Sequence, residues 1–159
     1  MDEKWICFVN TYHKEQFRIP DGGYIQIEAP SGRLQIRQCG YVDPGHMAIG
    51  EEVYDTQDFV EGHERADYKL APLAQPESVH GYMITDKAII GDITIALAHN
   101  PNAVQPYVTW QGHREHDGYD WGHYYTEKYA AVIDFNLRWQ AVRTGTPYTP
   151  YRQNRDDAR

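Results

Sequence analysis

Imidazoles and carboxylates crowd one short segment, where His113, His116 and His123 stand with Glu115, Asp117 and Asp120. These are the side chains that zinc or another first-row metal takes as ligands, so the segment is a candidate metal centre. The spacing H-x2-H-x6-H fits neither a helical ligand pair nor a zinc knuckle. A histidine- and acid-rich hairpin tip is equally what a solvated loop looks like. The expectation is therefore a loop, with no metal and no cofactor. A metal-dependent hydrolase or nuclease using the region from His113 to His123 stands as the alternative. Asp86, Lys87 and Asp92 evoke a metal-dependent nuclease core, but the lysine follows the first acid directly instead of closing an acid-x-Lys. His46, His63, His80 and His99 are dispersed, with nothing in the sequence to pair any of them with a nucleophile. Gly-x-Ser-x-Gly, Walker-type and GxGxxG patterns are absent. No catalytic residue is expected.

A different chemistry is written between positions 51 and 67. Seven acids (Glu51, Glu52, Asp55, Asp58, Glu61, Glu64, Asp67) face one base, Arg65, a balance of −6 in a chain whose formal net charge is −8. Val53, Tyr54, Phe59 and Val60 are interleaved, so the stretch can order. A concentrated negative field repels nucleic acid and attracts a basic groove. The seven acids, with Tyr54 and Phe59 as anchors, are the expected partner-binding residues. Glu51, Asp55 and Asp58 fall at i, i+4 and i+7, which would put them on one face of a helix. The bland alternative is a solvated face that keeps the protein soluble.

The chain has 159 residues, 41% of them hydrophobic and 13% aromatic, enough for a domain that forms its core without disulfides or metal. Thirteen tyrosines against four phenylalanines suit surfaces that are partly wet or meet a partner. Bases are spread along the chain, so no nucleic-acid footprint is expected. A third reading is a sponge for a signalling nucleotide, held between Tyr107 or Trp110 and Arg114. The opening Met-Asp-Glu-Lys-Trp-Ile-Cys has no basic region followed by a long apolar run, and no stretch reaches transmembrane length. The expectation is the host-cell cytosol, no membrane partner, and reduced thiols at Cys7 and Cys39.

The elements that must position these residues read as an α+β fold, a mostly antiparallel sheet with one long C-terminal helix packed on it. Strands are expected over 5–12, 24–28, 33–37, 81–85, 89–97 and 107–110, with returning strand 121–125. A hairpin is expected around Asp86-Lys87, and 70–77 reads as a connector because of Pro72 and Pro76. Thr126 is the expected N-cap of a helix over 127–143, which Gly145 and Pro147 end. One domain, 1–143, and a mobile tail, 144–159, complete the reading. On the helix, Ala130, Ile133, Leu137 and Ala141 form one apolar side. Ala131, Val132, Phe135, Trp139 and Val142 form another, and Asp134 and Arg138 separate them along one seam. The pattern predicts burial on two sides, or a homodimer contact through Phe135 and Trp139.

Pro106-Tyr-Val-Thr-Trp110, Gly118-Tyr-Asp-Trp-Gly-His-Tyr-Tyr125 and Asp134-Phe-Asn-Leu-Arg138 together resemble small accessory proteins and large-polyvalent-protein-associated domains. Those are carried by phages and conjugative elements of gut Firmicutes. The resemblance covers the last third of the chain. It implies a mobile-element accessory role of anti-restriction or anti-CRISPR type, with no catalytic residues to carry over. Together these readings lead to a non-enzymatic acidic protein, an inhibitor and nucleic-acid mimic that occupies the basic groove of a host nuclease or nucleic-acid-binding protein.

Overall fold

The computed structural model describes residues 5–10, 15–20, 22–55, 68–113 and 118–152. The chain folds as two compact units, Met1–Pro76 and Glu77–Arg159, where the sequence reading drew one domain. The class is α+β, antiparallel sheet with one long C-terminal helix packed on it.

The first unit holds β1 (Trp5–Asn10) and β2 (Glu15–Pro20) as an antiparallel hairpin, then β3 (Tyr24–Glu28), β4 (Arg33–Asp43), β5 (His46–Ile49), β6 (Glu52–Asp55) and β7 (Lys69–Leu73). β3 lies between β7 and the first half of β4, and the second half of β4 pairs with β5, which pairs with β6. Alternation in β3 sends Ile25 and Ile27 inward, and register places Leu70 opposite Ile27. Ile19, Cys39, Met47 and Ile49 complete that core, with Tyr41, Tyr54 and Tyr68 against its rim. Burial of the Cys39 thiol pushes its pKa up to about 12, so it is an inert, protonated packing group.

Two expectations change here. Residues 52–55 form a strand, not a helix, because their partner is β5 and not their own next turn. The turn at Asp43-Pro44-Gly45 joins β4 to β5, and Asp43 caps it by accepting from the Gly45 N–H at 2.9 Å. The expected connector at 70–77 begins as β7, a strand with β3 on one side only, where Pro72 costs no ladder bond on the open side.

The second unit is a meander of β8 (Ser78–Val79), β9 (Tyr82–Ile90), β10 (Ile93–His99), β11 (Tyr107–His113) and β12 (Asp120–Tyr125), each paired antiparallel with its neighbour. β9 runs straight through Asp86-Lys87, and the hairpin turns instead at Gly91, whose φ of 57° is left-handed. Helix α1 (Lys128–Thr144) covers one face of this sheet. Ala130, Ala131 and Phe135 pack on Ala88, Ile95, Leu97 and Tyr125. On the opposite face Ile84, Ala96, Ala98, Val108 and Trp110 cluster with Val79, Tyr82 and Tyr119.

The N-cap of α1 is Glu127 in extended conformation with no side-chain cap bond, not Thr126. Gly145 ends the helix as expected, in left-handed backbone with its N–H on the Ala141 carbonyl. The helix buries one arc, not two stripes. Ala130, Ala131, Asp134, Phe135, Arg138 and Ala141 are inside, so the polar seam runs along the middle of the buried arc. Phe135 is fully buried in the core of its own unit, while Trp139 is half-buried under the Arg143 guanidinium, 4.6 Å from its ring centroid.

Candidate functional site

The described part of the acidic stretch, residues 51–55, is the β5–β6 turn and strand β6 of the β4–β5–β6 sheet. Glu51, Glu52 and Asp55 are exposed there, and β6 has β5 as its partner on one edge. Strand alternation puts Glu52 and Tyr54 on one face and Val53 and Asp55 on the other, so the acids do not share one face as a helix would have required. Tyr54 packs its ring against the core rim and donates its hydroxyl to Glu52. That makes it a support for the carboxylate and not an exposed anchor. Asp58, Phe59, Glu61, Glu64 and Asp67 lie outside the described residues.

Across the hairpin, His46 pairs in register with both Asp43 and Asp55, and its Nδ1 lies 2.8 Å from Asp43 Oδ1. The hydrogen bond to Asp43 and the charges of Asp43 and Asp55 hold the imidazole pKa above its ordinary value. The same hydrogen bond, with the Gly45 N–H, lowers Asp43. One end of the hairpin therefore presents Asp43 and Asp55 beside one titratable base, with Val42 exposed there, and the β5–β6 turn at the other end presents Glu51 and Glu52 beside exposed Val53.

The densest polar constellation lies elsewhere, beneath α1. Asp134 and Arg138 are 0% and 1% exposed, one helical turn apart, with Arg138 Nε 3.3 Å from Asp134 Oδ2. Thr109 of β11 donates its hydroxyl to that same Oδ2 and accepts from Arg138 Nε at 3.1 Å. Asp134 Oδ1 accepts from the Tyr148 hydroxyl at 2.6 Å and the Tyr151 N–H at 2.9 Å. Arg138 Nη2 donates to the Trp121 carbonyl and to His123 Nδ1, and the guanidinium carbon lies 4.7 Å from the Tyr148 ring centroid. Arg138 Nη1 is buried without a hydrogen-bond partner among the described residues. Burial and the Arg138 charge lower the His123 pKa, so its ring stays neutral and accepts at Nδ1. Burial and the bond to Asp134 raise Tyr148. Apart from Arg138 Nη1, donors and acceptors are spent on one another here, so the cluster locks helix, sheet and C-terminal segment together. The stretch expected as a tail from 144 supplies two of its groups, and Tyr151 also accepts from the Tyr125 hydroxyl at 2.7 Å.

This arrangement keeps apart the described ligands of the alternative metal reading. His123 faces Arg138, His113 sits at the far end of β11 with Nδ1 3.9 Å from Asp92, and His116 lies outside the described residues. Among the described residues no group of three His, Cys, Asp or Glu could hold a metal ion. Asp86 and Lys87 are adjacent in β9 and so point to opposite faces, which separates the pair that a nuclease core would use together. Lys87 lies 3.0 Å from Glu77; burial works against its charge, but Tyr119 and Glu77 outweigh it and raise its pKa. The nucleotide-sponge pair is divided too. Tyr107 stacks on His99 with centroids 4.6 Å apart on the helix-covered face, whereas Trp110 stacks on Tyr119 at 5.7 Å on the other. Arg114 lies outside the described residues.

One strained position was invisible in the sequence. Between Thr109 and Gln111 the β11–β12 register shifts, so Trp121 and Gly122 together oppose Trp110. Trp121 takes the left-handed backbone of this bulge with φ 56°, a place usually given to glycine, and is 68% exposed. Gly122 is required by close approach, since a Cβ there would fall 2.8 Å from Trp110 Nε1. No helix of the described residues is long and apolar enough to cross a membrane. Comparison with family models, curated proteins and solved structures finds no match to this chain.

Proposed function

We propose that the chain is a non-enzymatic acidic binding protein that occupies the basic groove of a nucleic-acid-handling host protein. The observation that carries this reading is the row of exposed carboxylates along the β5–β6 hairpin, Asp43 and Asp55 at one end and Glu51 and Glu52 at the other; in sequence, four more acids follow between positions 58 and 67. A groove that binds phosphates focuses positive potential, and carboxylates spaced along a strand can enter it without the ordering cost of a flexible tail. The polar constellation under α1 supports a non-enzymatic reading, because its groups are buried and mutually bonded instead of being offered to a substrate. The resemblance of the last third to mobile-element accessory proteins gives the biological setting, inhibition of a restriction or CRISPR nuclease in the host cytosol.

The test is DNA cleavage by purified effectors, a Cas9-type nuclease and a restriction endonuclease, with increasing amounts of the protein. The wild-type chain should inhibit one of them, and Glu52→Lys with Asp55→Lys should weaken inhibition at least about tenfold, since several channel-focused pairs are lost. Higher salt should slow association more than it speeds release. Inhibition at wild-type strength by the charge-reversed protein would reduce the acidic row to a solubility device.

A further inference from the structure

Helix α1 is inside out. Between Tyr129 and Gln140 its only charged residues, Asp134 and Arg138, are buried, and every exposed residue is uncharged: Tyr129, Ile133, Asn136, Leu137 and Gln140. Ordinary surface helices do the reverse, with an apolar face inward and charges toward water. Tyr129, Ile133 and Leu137 follow one another at i, i+4 and i+8, and are 53%, 37% and 37% exposed. Side chains at that spacing stack along one line about 12 Å long. Asn136 and Gln140 flank it with neutral hydrogen-bonding groups.

From this we infer that the outward face of α1 pairs with the same face of a second copy of the chain. Two properties select that occupant. The chain carries a net charge of −8, so most ways of bringing two copies together oppose like charges. This face offers five exposed residues across three helical turns with no charge to repel, and no carboxylate to attract a basic partner. The stripe is also symmetric about its middle residue. An antiparallel pair related by a twofold axis places Ile133 against Ile133, and Tyr129 of each copy over Leu137 of the other, so the surface complements itself. The seam is shorter than a standard interface of roughly 1,600 Å², so the dimer is of micromolar strength and dissociates on dilution.

Sedimentation velocity over roughly 1 to 100 µM protein should show monomer giving way to dimer. Ile133→Lys should abolish the dimer across that range while leaving the melting temperature within a few degrees, because the residue is exposed. Ile133→Cys should form a disulfide-linked dimer under mild oxidation, as the twofold brings the two substituted positions together, whereas the parent chain under the same oxidant should not. A wild-type chain that stays monomeric throughout overturns the proposal. So does a dimer that Ile133→Lys leaves intact, or an Ile133→Cys variant that cross-links no more than the parent.

Discussion

Removing the Asp134 carboxylate is the sharpest perturbation the molecule offers. Asp134→Ala leaves the Arg138 guanidinium buried without its counter-ion, and strips an acceptor from the Thr109 hydroxyl, the Tyr148 hydroxyl and the Tyr151 N–H. Breaking a buried pair from one side costs about 3–5 kcal/mol, because the abandoned charge has already lost its water. At roughly 2–4 °C per kcal/mol for a chain of this size, the melting temperature should fall by about 6–20 °C. Arg138→Met should cost less, since Asp134 keeps three donors. The double variant should cost well below the sum of the two, with a coupling of at least about 2 kcal/mol. Chemical denaturation of the four proteins, read by far-ultraviolet circular dichroism, measures the cycle. Additive losses, or an Asp134→Ala cost under about 1 kcal/mol, would refute the account of the pair as a buried, mutually dependent unit.

Acid should weaken the second unit before it touches carboxylates. His123 and His99 have pKa values lowered in the folded state, both chiefly by burial, so their contribution is complete above the ordinary value of 6.5 and is lost as pH falls below it. His123→Gln with His99→Gln should flatten the melting temperature across that window, and an unchanged slope refutes the assignment. His46 runs the other way, its contribution being present below 6.5 and lost as pH rises through its raised value. Trp121→Gly should be neutral or stabilise by about 1 kcal/mol, because it relieves a left-handed backbone; a fall of several degrees would show that the ring's packing outweighs the strain. Gly122→Ala should destabilise, as its Cβ meets Trp110, and thermal melts of the two variants should move in opposite directions if the bulge is described correctly. Tyr148→Phe removes one donor to a buried carboxylate and should cost about 1.5–3 kcal/mol by denaturant titration, with the second unit becoming more open to proteolysis near its C-terminal end.

The alternating runs at 24–28 and 33–37 were legible because one face of each is core, and the apolar runs of β10 and β11 because both faces are; the turn between β9 and β10 was misplaced at Asp86-Lys87, since β9 carries on past that pair to Ile90. β5 and β6 were not legible. Each is four residues long, and the acids of β6 follow no burial pattern because Glu52 and Asp55 stand on opposite faces and both are exposed. Their spacing matched a helix by coincidence. β7 hid behind Pro72, which an edge strand tolerates. The Asp134–Arg138 seam was visible as a pair but not as a buried one, since two apolar stripes flanking a polar line were read as two surfaces instead of the shoulders of one arc. The bulge at Trp121 leaves no trace in composition, because its glycine stands one position later than the strained residue.

The buried cluster also sets a clock. Every strand pair in the second unit joins neighbours in sequence, and such hairpins close early because little chain must be fixed to bring them together. The guanidinium of Arg138 waits for partners 15 to 29 positions away, and Asp134 for Tyr148 and Tyr151 beyond the helix. Contacts of that kind are expected to consolidate after the rate-limiting step, in which case Asp134→Ala speeds unfolding and leaves the folding rate nearly unchanged in stopped-flow kinetics. A sheet assembled from quick local steps is thereby closed by a late polar latch, which confers persistence against proteolysis through slow opening.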